Sequence, residues 1–355
     1  MTRPDSLFAR TSPPDGPRAV TDADFPQDGT PQEQLAAMLN WAVHAPSVLN
    51  TQPWRFRVRA DAPAVEVYVD RARVLRTVDP EGREAVVSCG AALYTLRLAA
   101  RHYGFSVRVE YPQLGIALPW TGTDLVATVH LAGPSAPASA EEALFRAVKH
   151  RHTNRDPFAD FPVPVGLLAR LRGAADAEGA RLHALTGDAE KGALSDLVAE
   201  AVREQGDDPV VEAELRAWSR PTGDPRADGV PDDVQGGWDR LSYLRPEPRF
   251  LAAEARRLVQ NAPAVLVVAT DRDGPADWAR AGQALQHVLL LAAGEGLAAS
   301  YFNQPLEVDR LRPQVAAVAG GGHAQVVFRL GTPVEARGTP RRRVADVIRP
   351  DEPVA

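Results

Sequence analysis

The chain has 355 residues, 45% hydrophobic and 24% charged, ample for a large core in one big domain or two ordinary ones. Its 40 basic and 46 acidic residues are interspersed and leave a net charge of −6, which argues against a nucleic acid or another polyanion as partner. Cys89 is the only cysteine, so no internal disulfide or thiolate metal cage can form, and a reducing cytoplasm suits the chain.

Residues 1–29 carry five prolines and several charges without an apolar run of secretory type, and are expected to form a flexible N-terminal arm. Thr30-Pro31-Gln32-Glu33 then starts a helix, with a Thr cap, Pro in the first turn and Glu three residues after the cap. Leu35, Met38, Leu39 and Ala42 follow at helical spacing, and Pro46 denies the helix a further backbone donor. Directly after it, "HAPSVLNTQPWRF" (residues 44–56) crowds hydrogen-bonding side chains and two prolines into one turn. Cys89 sits in the apolar run "AVVSCGAAL" and reads as a buried spectator.

Pairs of segments match across a long separation. "APAV" at residues 62–65 recurs at 262–265, each copy leading into a strand, "EVYVD" and "LVVATD". Gly90, Ala92, Leu93, Leu98, Ala100 and Gly104 match Gly282, Ala284, Leu285, Leu290, Ala292 and Gly296 at a constant offset of 192, on apolar helices that end in Gly. Each half closes with a strand, "LVATVHL" and "AQVVFRL". Three elements in the same order predict two diverged copies of one α+β unit. The second copy alone contains residues 206–248, rich in Gly, Pro and Asp with isolated tryptophans, which reads either as a lid or interface flap or as an inert surface excursion.

"KHRHTNRDPF" (residues 149–158) follows a helix. On an extended chain Arg151, Thr153 and Arg155 point to one side, an arrangement suited to phosphate, while a solvated basic helix end is the plainer reading. "SYFNQPLEV" (residues 300–308) places Asn, Gln and Pro after an apolar helix, and "GTPRRRVADVI" (residues 338–348) supplies three arginines after a strand and turn. Sharper motifs fail. "GEGLAA" follows a helix where a dinucleotide fingerprint requires a strand, and "AGGGH" lacks the Lys-Ser/Thr of a phosphate loop. The eight histidines show no metal spacing, no G-x-S-x-G elbow is present, and the apolar stretch 284–293 is too short to span a bilayer.

Together "APSVLNTQPWRF", "RHTNRDPF", "NQPLE" and "TPRRRVADV" resemble, in order, the motifs of the flavin-binding nitroreductase family, and more narrowly its Acg-type branch, in which one chain carries two nitroreductase-like units. The resemblance spans most of residues 30–350. It implies an α+β, nitroreductase-like fold whose two copies, residues 30–137 and 138–355 with 206–248 as the lid insertion, form an intrachain pseudo-dimer. A monomer follows naturally, and a homodimer through another face stays open. It implies FMN as cofactor and no metal. Pro46, Ser47, Val48 and Asn50 would lie against the flavin ring, while Gln52 and Trp54 fix the turn that presents them. Arg151, His152, Thr153 and Arg155 would grip the phosphate, completed by Arg341 with Arg342 as its neighbour. Gln304, Pro305, Leu306 and Glu307 would lie beside the reactive edge, with a backbone N–H near Leu306–Glu307 facing flavin N5, and Arg257 would sit near N1.

Only the second copy carries the phosphate grip and only the first carries the A-P-S turn, so one complete site per chain is expected. The implied activity passes hydride from NADH or NADPH through FMN to nitroaromatic or quinone-like acceptors, with no side chain singled out as acid or base. The alternative is an FMN-binding or sequestering protein whose flavin is covered by residues 206–248. A structural protein with a vacant pocket is the third reading, and fits the retained arginines poorly.

Overall fold

The computed structural model describes residues 16–112, 124–232, 247–335 and 337–349. Helix α1 (Pro31–Ala42) starts at the predicted capping box. The Thr30 hydroxyl accepts from Glu33 N at 3.2 Å, and the Glu33 carboxylate accepts from Thr30 N at 2.8 Å. Strands β1 (Trp54–Val58) and β2 (Ala64–Val69) form an antiparallel hairpin. Trp54, Phe56 and Val58 face inward and alternate with Arg55 and Arg57, which pair with Asp70 and Glu66. Helix α2 (Arg83–His102) crosses to β3 (Phe105–Glu110), and β4 (Leu125–Pro134) inserts between β3 and β2, giving the order β1-β2-β4-β3.

After α3 (Ser139–Ala147) and α4 (Val165–Ala177), a second four-stranded sheet repeats this arrangement. Strand β5 (Arg181–Leu185) takes the place of β1, β8 (Ala264–Thr270) that of β2, β10 (His323–Gly331) that of β4 and β9 (Ala298–Tyr301) that of β3. Helix α8 (Pro275–Gly294) connects β8 to β9 as α2 connects β2 to β3, and the short α9 (Arg312–Val318) precedes β10. Strand β8, "AVLVVAT", is buried along its whole length, because helices cover both faces of its sheet. Between β5 and β8 the chain adds α5 (Asp188–Asp207), α6 (Pro209–Ala217), a two-stranded parallel ribbon of β6 (Ser219–Arg220) and β7 (Val230–Pro231), and α7 (Pro248–Gln260). Residues 233–246 of the expected insertion lie outside the described residues.

Helices α2 and α8 form the centre of the core, and they touch backbone to backbone. A Cβ on Gly90 would lie 2.3 Å from the Ala279 carbonyl oxygen, and one on Gly282 would lie 2.0 Å from that of Val87. These are the two glycines related by the offset of 192. Cys89 is fully buried beside them, and burial pushes its thiol pKa up, in keeping with a spectator.

The expected arm needs correction for residues 16–29. Pro17–Ala19 and Asp22–Asp24 form 3₁₀ turns on the body of the molecule, Val20 is buried, and Phe25 stacks on Tyr103 with ring centroids 3.7 Å apart. Lys149 Nζ donates to the Val20 carbonyl and the His44 imidazole to that of Pro17. The prolines here fix tight turns. Residues 1–15 lie outside the described part. Among the described residues no helix is long and apolar enough to cross a membrane.

Candidate functional site

A cavity of about 590 Å³ opens between the two sheets' connecting segments. Pro46, Ser47, Val48 and Leu49 line it from the turn after α1, Thr153 and Arg155 from the segment after α3, and Asn303, Gln304 and Glu307 from the turn after β9. The first turn is held in unusual backbone geometry. Leu49, Asn50 and Gln52 have φ of 45°, 54° and 50°, a left-handed conformation costing a non-glycine residue about 1–3 kcal/mol. The crowded polar side chains supply the compensation. Ser47 Oγ accepts from Gln52 N at 2.9 Å, Gln52 Oε1 accepts from Arg342 N at 2.9 Å, and Gln52 Nε2 donates to the Ala227 carbonyl at 2.7 Å. Gln52 thus pins the turn, and Trp54 is fully buried beneath it.

Behind the cavity lies a nest of guanidinium groups. Arg151 Nη2 and Arg341 Nη2 both donate to the His44 carbonyl, at 2.9 and 3.3 Å, and Arg341 Nη1 donates to Asn50 Oδ1 at 3.0 Å and Thr339 Oγ1 at 2.7 Å. Both arginines are more than nine-tenths buried, both bond only neutral oxygens among the described residues, and the Nε of each has no partner. Burial first, and neighbouring cations second, push the Arg341 pKa well down, and burial lowers that of Arg151. Burial and the nearby Arg341 also hold the His44 imidazole neutral, with its pKa lowered to about 3. Cations packed this way without a carboxylate are costly, and an anion would offset the cost.

Thr153 joins the edge of β9 through a bridge to Ala299, so the segment is extended as predicted. Thr153 and Arg155 reach the cavity while Arg151 stands behind it. His152 Nδ1 meets the His150 carbonyl at 2.9 Å, and its buried Nε2 has no partner.

Other predicted residues lie elsewhere. Arg257 is on the outer face of α7, half exposed and paired with Glu254 at 2.6 Å, so the expectation that it sits at the flavin is corrected. Arg342 braces the turn through Gln52 and the Asp346 carbonyl, and burial lowers its pKa to about 10. Asn50 lies under the turn, where its Nδ2 donates to the Gly229 and Pro340 carbonyls at 2.9 and 3.2 Å. Pro305 and Leu306 are buried under the Gln304–Leu306 3₁₀ turn, and Leu306 packs in the core. The backbone N–H groups of Leu306 and Glu307 donate to Asn303 O at 2.6 Å and Gln304 O at 3.2 Å, so neither is aimed freely outward.

Two features escaped sequence reasoning, the cation of Arg18 and the pairing of Glu84 with the predicted Glu307. Arg18 Nη2 donates to the Thr339 carbonyl at 3.1 Å and packs on Gly338, adding a cation to the Arg151–Arg341 nest from a stretch with no motif. Glu84 and Glu307 place carboxylates on the cavity wall, with Asp79 capping α2 behind them through Glu84 N and Ala85 N at 3.1 and 3.0 Å. Burial, and for Asp79 and Glu307 also the charge of Glu84, raises the pKa of all three, that of Asp79 to about 7.

Finally, the added segment covers the cavity. Glu212, Leu215, Trp218 and Val230 line it, and Val211, Leu215 and Trp218 form an apolar cluster with Val48, Leu49, Leu75 and Val78. The Glu214 carboxylate accepts from Thr77 N and Val78 N at 3.0 to 3.1 Å, and Arg73 pairs with Asp228 at 2.9 Å.

The nitroreductase family model matches residues 148–332. Protein Rv3131 of Mycobacterium tuberculosis, provisionally named an NAD(P)H nitroreductase, is 31% identical over 351 residues, 94% of each chain. The uncharacterized protein Rv3127 of the same organism is 30% identical over 86% of this chain and 90% of its own, and acg is 28% identical over 88% and 95%. The chain belongs to the nitroreductase family. Within it, the chain falls in the branch that includes acg.

Proposed function

We propose that the protein is an FMN-dependent oxidoreductase that takes hydride from NADH or NADPH and delivers electrons to a nitroaromatic or quinone-like acceptor. The observation that carries this reading is the cavity's cationic end. Arg155 and Thr153 face the cavity, and Arg151 and Arg341 stand behind it with unpartnered Nε groups. A phosphate fits that donor set. The strained Ser47–Asn50 turn and the apolar Val48, Leu49, Leu75 and Val78 fit the flat faces of an isoalloxazine, and Gln304 offers an amide to its polar edge. Hydride transfer is the chemistry that FMN supplies when bound. The chain's own part is to bind the phosphate, hold the ring against the turn and exclude water with α6 and Trp218.

We further propose that residues 30–137 and 138–355 are two diverged copies that assemble one site within a single chain. The recurring strand order and the contact between Gly90 and Gly282 support this. A second reading, a flavin bound but shielded from nicotinamide, is favoured by the ties that fasten the added segment over the cavity. Anaerobic stopped-flow absorbance of FMN-loaded protein mixed with NADH or NADPH decides between them. Rapid bleaching, reversed by a quinone or nitroaromatic, is expected. Flavin that bleaches only with dithionite would favour the shielded site, and protein that never takes up FMN would overturn both readings.

A further inference from the structure

The flavin reading uses the cavity's cationic end and the Gln304 amide, and leaves the carboxylates of Glu84 and Glu307 without a role. Glu84 is 3% exposed and lines the cavity. Its Oε1 accepts from Arg83 Nη2 at 2.9 Å and from Asn303 Nδ2 at 3.1 Å, whereas Oε2 has no partner. Asn303 cannot turn over to serve another group, because its Oδ1 accepts from Val327 N at 2.9 Å. Glu307 lies on the same wall, its Oε2 accepting from Gln205 Nε2 at 2.7 Å, and Gln304 Oε1 is a second buried acceptor without a donor.

The donors beside Glu84 are committed, and the Gln304 Nε2 is the amide donor of this wall that has no bond among the described residues. Ser88 gives its hydroxyl proton to the Glu84 carbonyl at 2.8 Å, and Gln325 Nε2 bonds Thr270 Oγ1 at 2.8 Å and Asp273 Oδ1 at 3.0 Å. At Glu84 acceptors are in surplus, so a ligand group that meets the unpartnered Oε2 is expected to donate. Charge points the same way, since Asp79, Glu84 and Glu307 surround one guanidinium, that of Arg83, and Arg312 is already paired with Asp273. In the free protein the cluster answers this imbalance by holding protons more tightly than carboxylates usually do. A bound cation would take the proton's place. Leu75, Val78, Leu215 and Trp218 continue the lining with apolar surface.

We propose that the wall formed by Glu84, Gln304 and Glu307 is a subsite for a protonated nitrogen, and that the nitroaromatic or quinone-like acceptor sharing the cavity with the flavin carries, besides its reducible group, a protonated amine or amidine that this wall binds. This rests on the flavin reading only in taking the ligand to be an electron acceptor, because the subsite itself is formed by Glu84, Gln304 and Glu307.

Calorimetric titration with benzamidinium and its neutral counterpart benzamide tests it, on FMN-loaded and on flavin-free protein. Benzamidinium is expected to bind at least about tenfold more tightly than benzamide, and Glu84→Gln to abolish that preference. Glu307→Gln should weaken it, and serves as the test if Glu84→Gln lowers the unfolding midpoint too far to be measured. Equal binding of the two probes, no binding of benzamidinium, or a preference that survives in both variants would overturn the subsite. Protein that prefers the cation yet never holds FMN would sink the flavin reading and leave this one standing. Flavin-loaded protein without the preference would sink this one alone.

Discussion

Arg341 shows how a single residue separates structural from functional burial. Its guanidinium is buried among neutral oxygens with Arg151 and Arg18 as neighbours, an arrangement that lowers its pKa and does not stabilise an empty protein. Replacing it with alanine is therefore expected to leave the unfolding midpoint of flavin-free protein unchanged or raised. FMN affinity should fall by about 2–5 kcal/mol, at least roughly thirtyfold, because a buried anion would lose its charged partner. Equilibrium dialysis against FMN and urea denaturation of the flavin-free form measure the two quantities. The opposite pattern, a large loss of stability with unchanged FMN affinity, would make Arg341 a strut for Asn50 and Thr339 and nothing more. Arg18 had no comparable trace in the sequence, since its role depends on residue 18 lying across the chain from Gly338, which only the packed fold brings about.

Among the elements, the crossing of α2 and α8 is the tightest joint. A side chain at Gly282 would overlap the Val87 carbonyl and approach Ala91 N to 2.9 Å, both of them backbone atoms that cannot rotate away. Gly282→Ala is expected to force the helices apart at a cost of about 1–3 kcal/mol, read as a lower urea midpoint with an unchanged slope. No change in midpoint would mean that the helices separate freely there. The sequence made much of this level legible. The Thr30–Glu33 capping box and the strands at each "APAV" reflect local rules that hold before folding, and the glycine offset of 192 is visible as a repeat in the chain. The strand order was not legible, because pairing is decided by tertiary contacts. Arg257 was misplaced for another reason. At 100° per residue it lies about 200° from Ala255, opposite the buried stripe of Ala252, Ala255, Leu258 and Val259, so helical periodicity already pointed it at solvent. Glu307 was read as a site residue, but the acidic wall stayed hidden because Glu84 is far from it in the chain and looks like an ordinary helix-end residue.

At the scale of the whole molecule, the question is whether the added segment works as a door or as a seal. Among the described residues, specific polar ties add to its apolar packing on Val48, Leu49, Leu75 and Val78. Glu214 takes two backbone N–H groups from Thr77 and Val78, Arg73 meets Asp228, and Asn50 and Gln52 hold the carbonyls of Gly229 and Ala227. Glu214 itself does not line the cavity, although its partner Val78 does, so Glu214→Ala should loosen the cover and leave the Glu84–Glu307 wall intact. Losing a carboxylate that accepts two partly buried N–H groups costs about 1–3 kcal/mol, enough to raise the open population of a closed segment about 5- to 150-fold. If closure limits access, the flavin of the variant bleaches with NADPH faster by a comparable factor, while dithionite, a small reductant, gains much less. Identical NADPH rates in variant and wild type would show that α6 does not gate the cavity, and a slow step common to both would then lie in nicotinamide binding or hydride transfer.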